Sequence, residues 1–339
     1  MTPPTLLITG ATGFIGFRTL LEALEAGYTV RATIRSSSSP RSQTLLAHPL
    51  LSSFISQNKL SFIEAPDILA PDAYTSTLKD ITYAIHLASP LPLPFKNPQT
   101  EIINPTIQGT LNLLRAALHT PSLRRIIITS SIVANLPFPH PTSNPPLTEA
   151  ETRVPDPQDL DTITSVFPAY CAAKIATLNA TDAFVSTHNP AFDVVRIFPG
   201  FVYGRDSRAT DIPSLMTGSN RLLLSTILGQ AFPEPQLAGA AHVLDVARVH
   251  VLALNSSLAR TQDFGVTIPV VYDDAFQIVK KHFPKEVEEG IFKQGSQPSL
   301  RIEWKAEKTE EVLGFRFRGF EDMVVDVAGQ YLEFLGKVG

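Results

Sequence analysis

Tyr170 and Lys174 stand four residues apart in a stretch whose apolar residues recur at helical spacing, so a helix would place both side chains on one face. A phenol with a pKa of about 10 is a poor acid at neutral pH, and a neighbouring ammonium stabilises its phenolate and lowers that value. Such a pair suits proton delivery to an oxygen that is gaining negative charge. A hydroxyl aimed at the same oxygen would polarise it. Thr129-Ser130-Ser131 follows the apolar run Arg125 to Ile128, and the carboxyl ends of strands are where open α/β sheets place ligands. Either Ser130 or Ser131 could serve. Together these groups fit reduction of a carbonyl, with hydride arriving from a nicotinamide and the tyrosine protonating the alkoxide.

A nicotinamide dinucleotide needs a place for its pyrophosphate. The run Thr5 to Thr9 leads directly into Gly10-Ala11-Thr12-Gly13-Phe14-Ile15-Gly16 and then into a helical pattern. In this spacing the first glycine allows a sharp turn, the second lets backbone approach the pyrophosphate, and the third lets the helix pack closely. The free N–H groups of the helix start then face the phosphates. About twenty residues on, an NAD site would carry an acidic residue for the ribose, yet no Asp or Glu occurs from Ala26 to Ile63. That stretch holds Arg31, Arg35 and Arg41, with hydroxyls from Ser36 to Ser39. Guanidinium and hydroxyl donors suit a 2′-phosphate, so NADPH is favoured over NADH.

Short β-branched runs alternate with longer helical patterns through the first two hundred residues, which predicts an α/β fold with a doubly wound parallel sheet of Rossmann type. Strands are expected at Thr5 to Thr9, Thr29 to Ile34, Leu60 to Glu64, Tyr83 to Leu87, Arg125 to Ile128 and Asp193 to Ile197. The clearest helices are Phe14 to Ala26, Ile102 to His119 and Ala169 to Thr187. A proline-rich stretch, Leu136 to Asp159, reads as a long surface loop. Beyond Pro199 the alternation fades, with helices expected at Val243 to Leu254 and Phe320 to Phe334. The expected division is a cofactor domain over residues 1–198, to which part of the later chain returns, and a smaller substrate lobe over 199–339.

The chain has 339 residues, 44% of them apolar and 18% charged, enough to bury a large core. Its formal net charge of −4 comes without long single-sign runs, which argues against nucleic acid and anionic membrane as partners. One cysteine, Cys171, cannot form an internal disulfide or a structural zinc site, and no metal is expected. With neither a leader pattern nor a long apolar span, a cytoplasmic monomer or homodimer acting on a small-molecule carbonyl is expected. The sequons at Asn179 and Asn255 therefore carry little weight.

The glycine-loop motif, Val30-Arg31-Ala32-Thr33-Ile34-Arg35, His86-Leu87-Ala88-Ser89-Pro90, Asn104-Pro105-Thr106-Ile107-Gln108-Gly109-Thr110, Thr129-Ser130-Ser131 and Tyr170-Cys171-Ala172-Ala173-Lys174 resemble one family. It is the extended short-chain dehydrogenases/reductases. Within them, the chain is similar to the branch of dihydroflavonol reductase, cinnamoyl-CoA reductase and the fungal methylglyoxal and aldehyde reductases. The resemblance implies a catalytic triad of Ser131, Tyr170 and Lys174, with Lys174 also reaching the nicotinamide ribose. It implies that Gly10, Thr12, Gly13, Phe14, Ile15 and Gly16 hold the pyrophosphate of NADP(H) and that Arg35 holds its 2′-phosphate. By the same resemblance Asp67 and Ile68 border the adenine, Ala88 and Ser89 line the cleft, and Pro199 and Val202 approach the carboxamide. Thr106 stands where many short-chain enzymes carry an Asn that orders a relay water. Phe201, Tyr203, Met216 and Phe232 are candidate pocket walls. An epimerase or dehydratase is the first competing function; dehydratases carry an acid pair directly after the active-site hydroxyl, where this chain has Ile132 and Val133. A cofactor-sensing protein without catalysis is the second, and such proteins typically lose the Tyr-Lys pair kept here.

Overall fold

A computed structural model describes residues 4–90, 94–259 and 262–337; Val338 and Gly339 of the terminal segment lie outside the described residues. The chain divides into two compact units. The first comprises residues 1–140, 150–198 and 247–264, and the second comprises 141–149, 199–246 and 265–339. This differs from a boundary at 198/199 at Pro141–Glu149, which belongs to the second unit, while Ala247–Phe264 is a later segment that returns to the first.

The first unit is built on β1 (Thr5–Thr9), α1 (Phe14–Glu25), β2 (Thr29–Ile34), β3 (Leu60–Glu64), β4 (Tyr83–His86), α2 (Asn104–Leu118), β5 (Arg125–Thr129), α3 (Val166–His188) and β6 (Asp193–Pro199). The strands lie in the order β3-β2-β1-β4-β5-β6, and a short strand starting at Phe264 closes the edge beside β6 to make seven. The pairs from β3 through β6 are all parallel. The chain order reverses between β1 and β4, and a doubly wound sheet opens its ligand crevice at such a reversal. Leu6, Leu7 and Ile8 have no exposed surface, as a strand covered by helices on both faces requires. α2 begins later than the apolar spacing suggests: Gln99–Ile103 forms a wide i-to-i+5 turn first, and Pro105, which lacks an N–H, then sits in the opening turn of the helix.

Two buried arginines tie the late segment 247–264 to this sheet. Arg125, 1% exposed, donates through Nη2 to Asp193 Oδ2 at 2.8 Å. It also donates to the carbonyls of Ala253 and Leu258 at 3.0 Å each, and to that of Asn255. Arg196 pairs with Asp182 and, at 3.4 Å, with Asp263. Neither guanidinium is left without anionic or carbonyl acceptors, which is what makes its burial tolerable.

In the second unit a three-stranded sheet runs in the order Ile268–Pro269, Gly239–His242, Phe201–Tyr203. The helices Asn220–Ile227, Asp274–His282 and Phe320–Phe334 contribute Leu224, Ile227, Val279, Met323 and Val327 to one core. Tyr203 belongs to that core too, wholly buried and edge-on to Tyr272 at 6.3 Å; it is no pocket wall. The proline-rich stretch is not simply a surface loop either. Leu136 is buried, and Leu147–Thr148 forms a short parallel strand with Glu303–Trp304.

Candidate functional site

The glycine loop leaves the carboxyl end of β1. Gly10 has φ +79°, and a Cβ there would lie 2.8 Å from the Ala88 amide nitrogen, so both the turn and the closeness of the β4 end exclude a side chain. The Gly13 amide donates to the Gly10 carbonyl at 2.9 Å, and Gly13 itself is exposed at the start of α1. At Gly16 a Cβ would stand 2.1 Å from the Gly10 oxygen, so this glycine lets α1 start against the turn. Thr12, Phe14 and Ile15 are half-buried around it. The loop, the open Gly13 and the helix start form a cradle suited to a pyrophosphate.

Next along the same sheet edge, Thr9 and His86 hold the end of β4. The Ala88 amide donates to Thr9 Oγ1 at 3.1 Å, and Thr9 Oγ1 shares a second hydrogen bond with His86 Nδ1 at 2.8 Å. Burial, with a smaller contribution from the Lys174 charge, pushes His86 down to about 3, so it is neutral. Ala88 is half-buried and Ser89 exposed beyond it. His86, Thr106, Lys174 and Arg196 line a small cavity together with Ala88, Ile128 and Leu178. The Thr106 hydroxyl is used within its own helix, donating to the Ile102 carbonyl at 2.7 Å.

Tyr170 and Lys174 lie on α3, and Lys174 Nζ is 5.6 Å from the centroid of the Tyr170 ring. Ser131 follows β5 in extended conformation, 8% exposed, and its hydroxyl lies near enough to the Tyr170 phenol to favour the phenolate. Ser131 Oγ also accepts from the Val133 amide at 3.4 Å. Of the two adjacent serines, Ser131 is the one that meets the tyrosine, whereas Ser130 lines the cavity with Lys174. Tyr170 keeps part of its surface open, and Phe167 stacks on it at 6.3 Å, but its phenol is closely surrounded by protein.

The ionisation of the pair departs from the simple expectation. Burial pushes Tyr170 up to about 12, and the nearby Ser131 hydroxyl only partly opposes that. Burial also brings Lys174 down to about 8. Desolvation thus outweighs any lowering of the phenol by the ammonium, because both charged forms lose water. Tyr170 is held protonated at neutral pH. Cys171 beside it is buried and raised to about 12, which leaves it no role as a nucleophile.

The three arginines after β1 separate in space. Arg31 donates to the carbonyls of Thr77 at 3.0 Å and Lys79 at 2.8 Å, so it serves the fold and not a phosphate. Arg35 follows β2, exposed and without a partner among the described residues, and Arg41 is likewise exposed. Asp67 accepts from the Leu69 amide at 2.9 Å, and Asn112, which the sequence reading missed, donates to the carbonyls of Ile68 and Ala70 at 3.1 and 3.0 Å. That buried amide fixes the Asp67–Ala70 loop from α2, while Gly109 gives Ile68 room: a Cβ there would lie 3.3 Å from Ile68 Cδ1. Pro199 is the last residue of β6, and Val202 is buried in the Phe201–Tyr203 strand of the second unit.

Comparison with known proteins agrees with this architecture. The chain is 36% identical over 350 residues to the NAD-dependent epimerase/dehydratase ALT6 of Alternaria alternata, covering 94% of this chain and 95% of that one. It is 32% identical over 352 residues to the ketoreductase CTB6 of Cercospora beticola, covering 99% and 97%. Among solved structures, the Gre2 of Candida albicans in complex with NADPH superposes with a TM-score of 0.83 at 23% identity, over 98% of this chain and 99% of that one. Yeast methylglyoxal/isovaleraldehyde reductase Gre2, also complexed with NADPH, gives 0.80 at 22% identity, over 98% and 100%. Residues 6–264 match the NAD dependent epimerase/dehydratase family, and with the sheet order, glycine loop and Ser-Tyr-Lys arrangement described above, the chain belongs to that family, within the extended short-chain dehydrogenases/reductases.

Proposed function

We propose that the chain is an NADPH-dependent carbonyl reductase in which Tyr170 protonates the oxygen of a ketone or aldehyde. The reading rests on Ser131 lying beside the Tyr170 phenol, with Lys174 one helical turn further along α3 and its Nζ 5.6 Å from the tyrosine ring centroid. The names of the relatives, a ketoreductase and aldehyde reductases among them, support the same class. The exposed Gly13, the Gly10 turn and the unpartnered Arg35 fit a dinucleotide with a 2′-phosphate. When bound, that cofactor supplies hydride to the carbonyl carbon. Ser131 and Tyr170 donate hydrogen bonds to the carbonyl oxygen and localise the charge that develops on it. Tyr170 then gives up its proton to the alkoxide, and Lys174 stabilises the phenolate left behind. Gly10 to Gly16 would hold the pyrophosphate, Asp67 and Ile68 the adenine edge, Ala88 and Ser89 the cleft wall, and Pro199 and Val202 the carboxamide. The compartment we propose is the cytoplasm; no helix among the described residues is long and apolar enough to cross a membrane.

The test is loss of NADPH absorbance against a panel of aldehydes, diketones and aromatic ketones, with NADH in parallel. Turnover with NADPH supports the assignment, and cofactor binding without turnover of any carbonyl argues for the sensing alternative.

Two outcomes follow for single groups. Arg35→Asp places a carboxylate where the 2′-phosphate would bind, so the ratio of kcat/KM for NADPH over NADH should fall at least about tenfold. An unchanged ratio would reject Arg35 as the selector. Lys174, held down to about 8 by burial, must be protonated to support the phenolate. Its acid form is the active one, so kcat/KM for the carbonyl should decline as pH rises through about 8. A profile flat from about pH 7 to 9 would remove Lys174 from that role.

A further inference from the structure

β2 and β3 end side by side with Ile34 opposite Glu64, which sets Glu64 next to the loop that begins at Arg35. Glu64 Oε1 accepts the Ser37 amide at 2.7 Å. That backbone hydrogen bond holds the carboxyl below its ordinary value, so it is an anion at neutral pH. Glu64 forms no ion pair among the described residues, although the guanidiniums of Arg35 and Arg41 belong to the same exposed segment. Other polar groups of the loop serve the loop itself. Ser36 Oγ and Ser38 Oγ are 2.9 Å apart, the Ser38 amide donates to Ser36 Oγ, and Ser39 Oγ donates to Ser42 Oγ at 2.8 Å.

An anion on a backbone amide, in a loop headed by an unpartnered guanidinium, has taken up a donor that a phosphate would use. A carboxylate can accept a hydrogen bond from a ribose hydroxyl, but it repels a phosphate, which has only acceptors and negative charge to offer. An NAD site usually carries such an acid at the end of the second strand; here it reaches the loop from the end of the third.

We propose that Glu64 is a selectivity-determining residue for the dinucleotide: it accommodates the 2′-hydroxyl of NAD(H), opposes the 2′-phosphate of NADP(H), and so offsets part of the attraction of Arg35. The inference rests on the reading of the glycine loop as a dinucleotide site. The chain then accepts both cofactors, with a narrower margin for NADPH than Arg35 alone would set.

Glu64→Gln tests this, because the amide oxygen still accepts from Ser37 while the charge is gone. Dissociation constants for NADP+ and NAD+ are measured by titration calorimetry on the wild-type and variant full-length chains, which needs no knowledge of the carbonyl substrate. The expected result is NADP+ binding about three- to tenfold tighter at low ionic strength, with NAD+ binding within about twofold of the wild type. Raising the salt to about 0.5 M should shrink the gain, since the carboxylate is exposed. NADP+ binding that is unchanged or weakened in the variant overturns the proposal and leaves Glu64 as a support of the loop. Wild-type chain that binds neither dinucleotide overturns the reading of the glycine loop, and this inference with it.

Discussion

Tyr170→Phe is expected to lower kcat by about two to four orders of magnitude while the dissociation constant for NADPH stays within about twofold. The phenylalanine ring keeps the stacking on Phe167 and the shape of the α3 face, so the change is confined to one hydroxyl. That hydroxyl is the group beside Ser131 and, raised to about 12, holds a proton throughout the neutral range. No neighbour replaces it: Ser131 is an ordinary alcohol, and Cys171 is buried with its thiol raised to about 12. The cost to folding should be small, about 1 kcal/mol for one hydrogen bond. Steady-state turnover with a reduced carbonyl, paired with a cofactor titration, checks both halves. Turnover equal to wild type would remove Tyr170 from the chemistry, and loss of cofactor binding would make its role structural.

Gly16→Ala should be the most damaging one-carbon change in the glycine loop. The added Cβ would sit 2.1 Å from the Gly10 oxygen and 2.8 Å from its carbonyl carbon, both backbone atoms. Relief requires moving the carbonyl that accepts the Gly13 amide, and that hydrogen bond shapes the turn. We expect at least about 1 to 3 kcal/mol of lost stability, seen as a lower Tm, and cofactor binding weakened about a hundredfold or more. Gly27→Ala is the control. Its φ is +90°, unlike that of helical Gly16, but nothing lies within 4 Å of its Cβ, so it should cost only about 1 to 2 kcal/mol of backbone strain and leave cofactor binding intact. Cofactor binding equally weakened by the two substitutions would mean that overlap with the Gly10 carbonyl does not govern Gly16.

The amino-acid pattern made the first unit readable because its signals are local. A strand buried on both faces is a continuous apolar run, and Thr5 to Thr9, Tyr83 to His86 and Arg125 to Thr129 are such runs. Tyr170 and Lys174 are joined by helical spacing, and Gly10, Gly13 and Gly16 by the geometry of one turn. What escaped depends on distant partners. Arg31 and Arg35 look alike in sequence, but only the fold brings the carbonyls of Thr77 and Lys79 to Arg31. Asn112 reads as one polar residue in a helix until the Ile68 and Ala70 carbonyls meet it. The ionisation of Tyr170 and Lys174 is hidden in the sequence for a related reason, since burial is not written in spacing. In the second unit the strands are two to four residues long, too short for a period-two pattern to rise above chance, so beyond Pro199 only the helices Val243–Leu252, most of which belongs to the first unit, and Phe320–Phe334 could be anticipated.

The two buried arginines also fix an order of events as the chain is made. When the ribosome has released residues 1–198, the strands β1 to β6 are all available, yet Arg125 still lacks the carbonyls of Ala253, Asn255 and Leu258 and Arg196 lacks Asp263. Both guanidiniums would then have to be buried short of acceptors, or the sheet edge that carries them would stay open to water. Nascent chains must therefore carry the whole of residues 199–246, which belong to the other unit, before the first can close. A fragment cut at Phe198 inherits that unfinished edge permanently, so a biosynthetic pause anywhere in that stretch holds a half-built nucleotide fold exposed to chaperones and proteases.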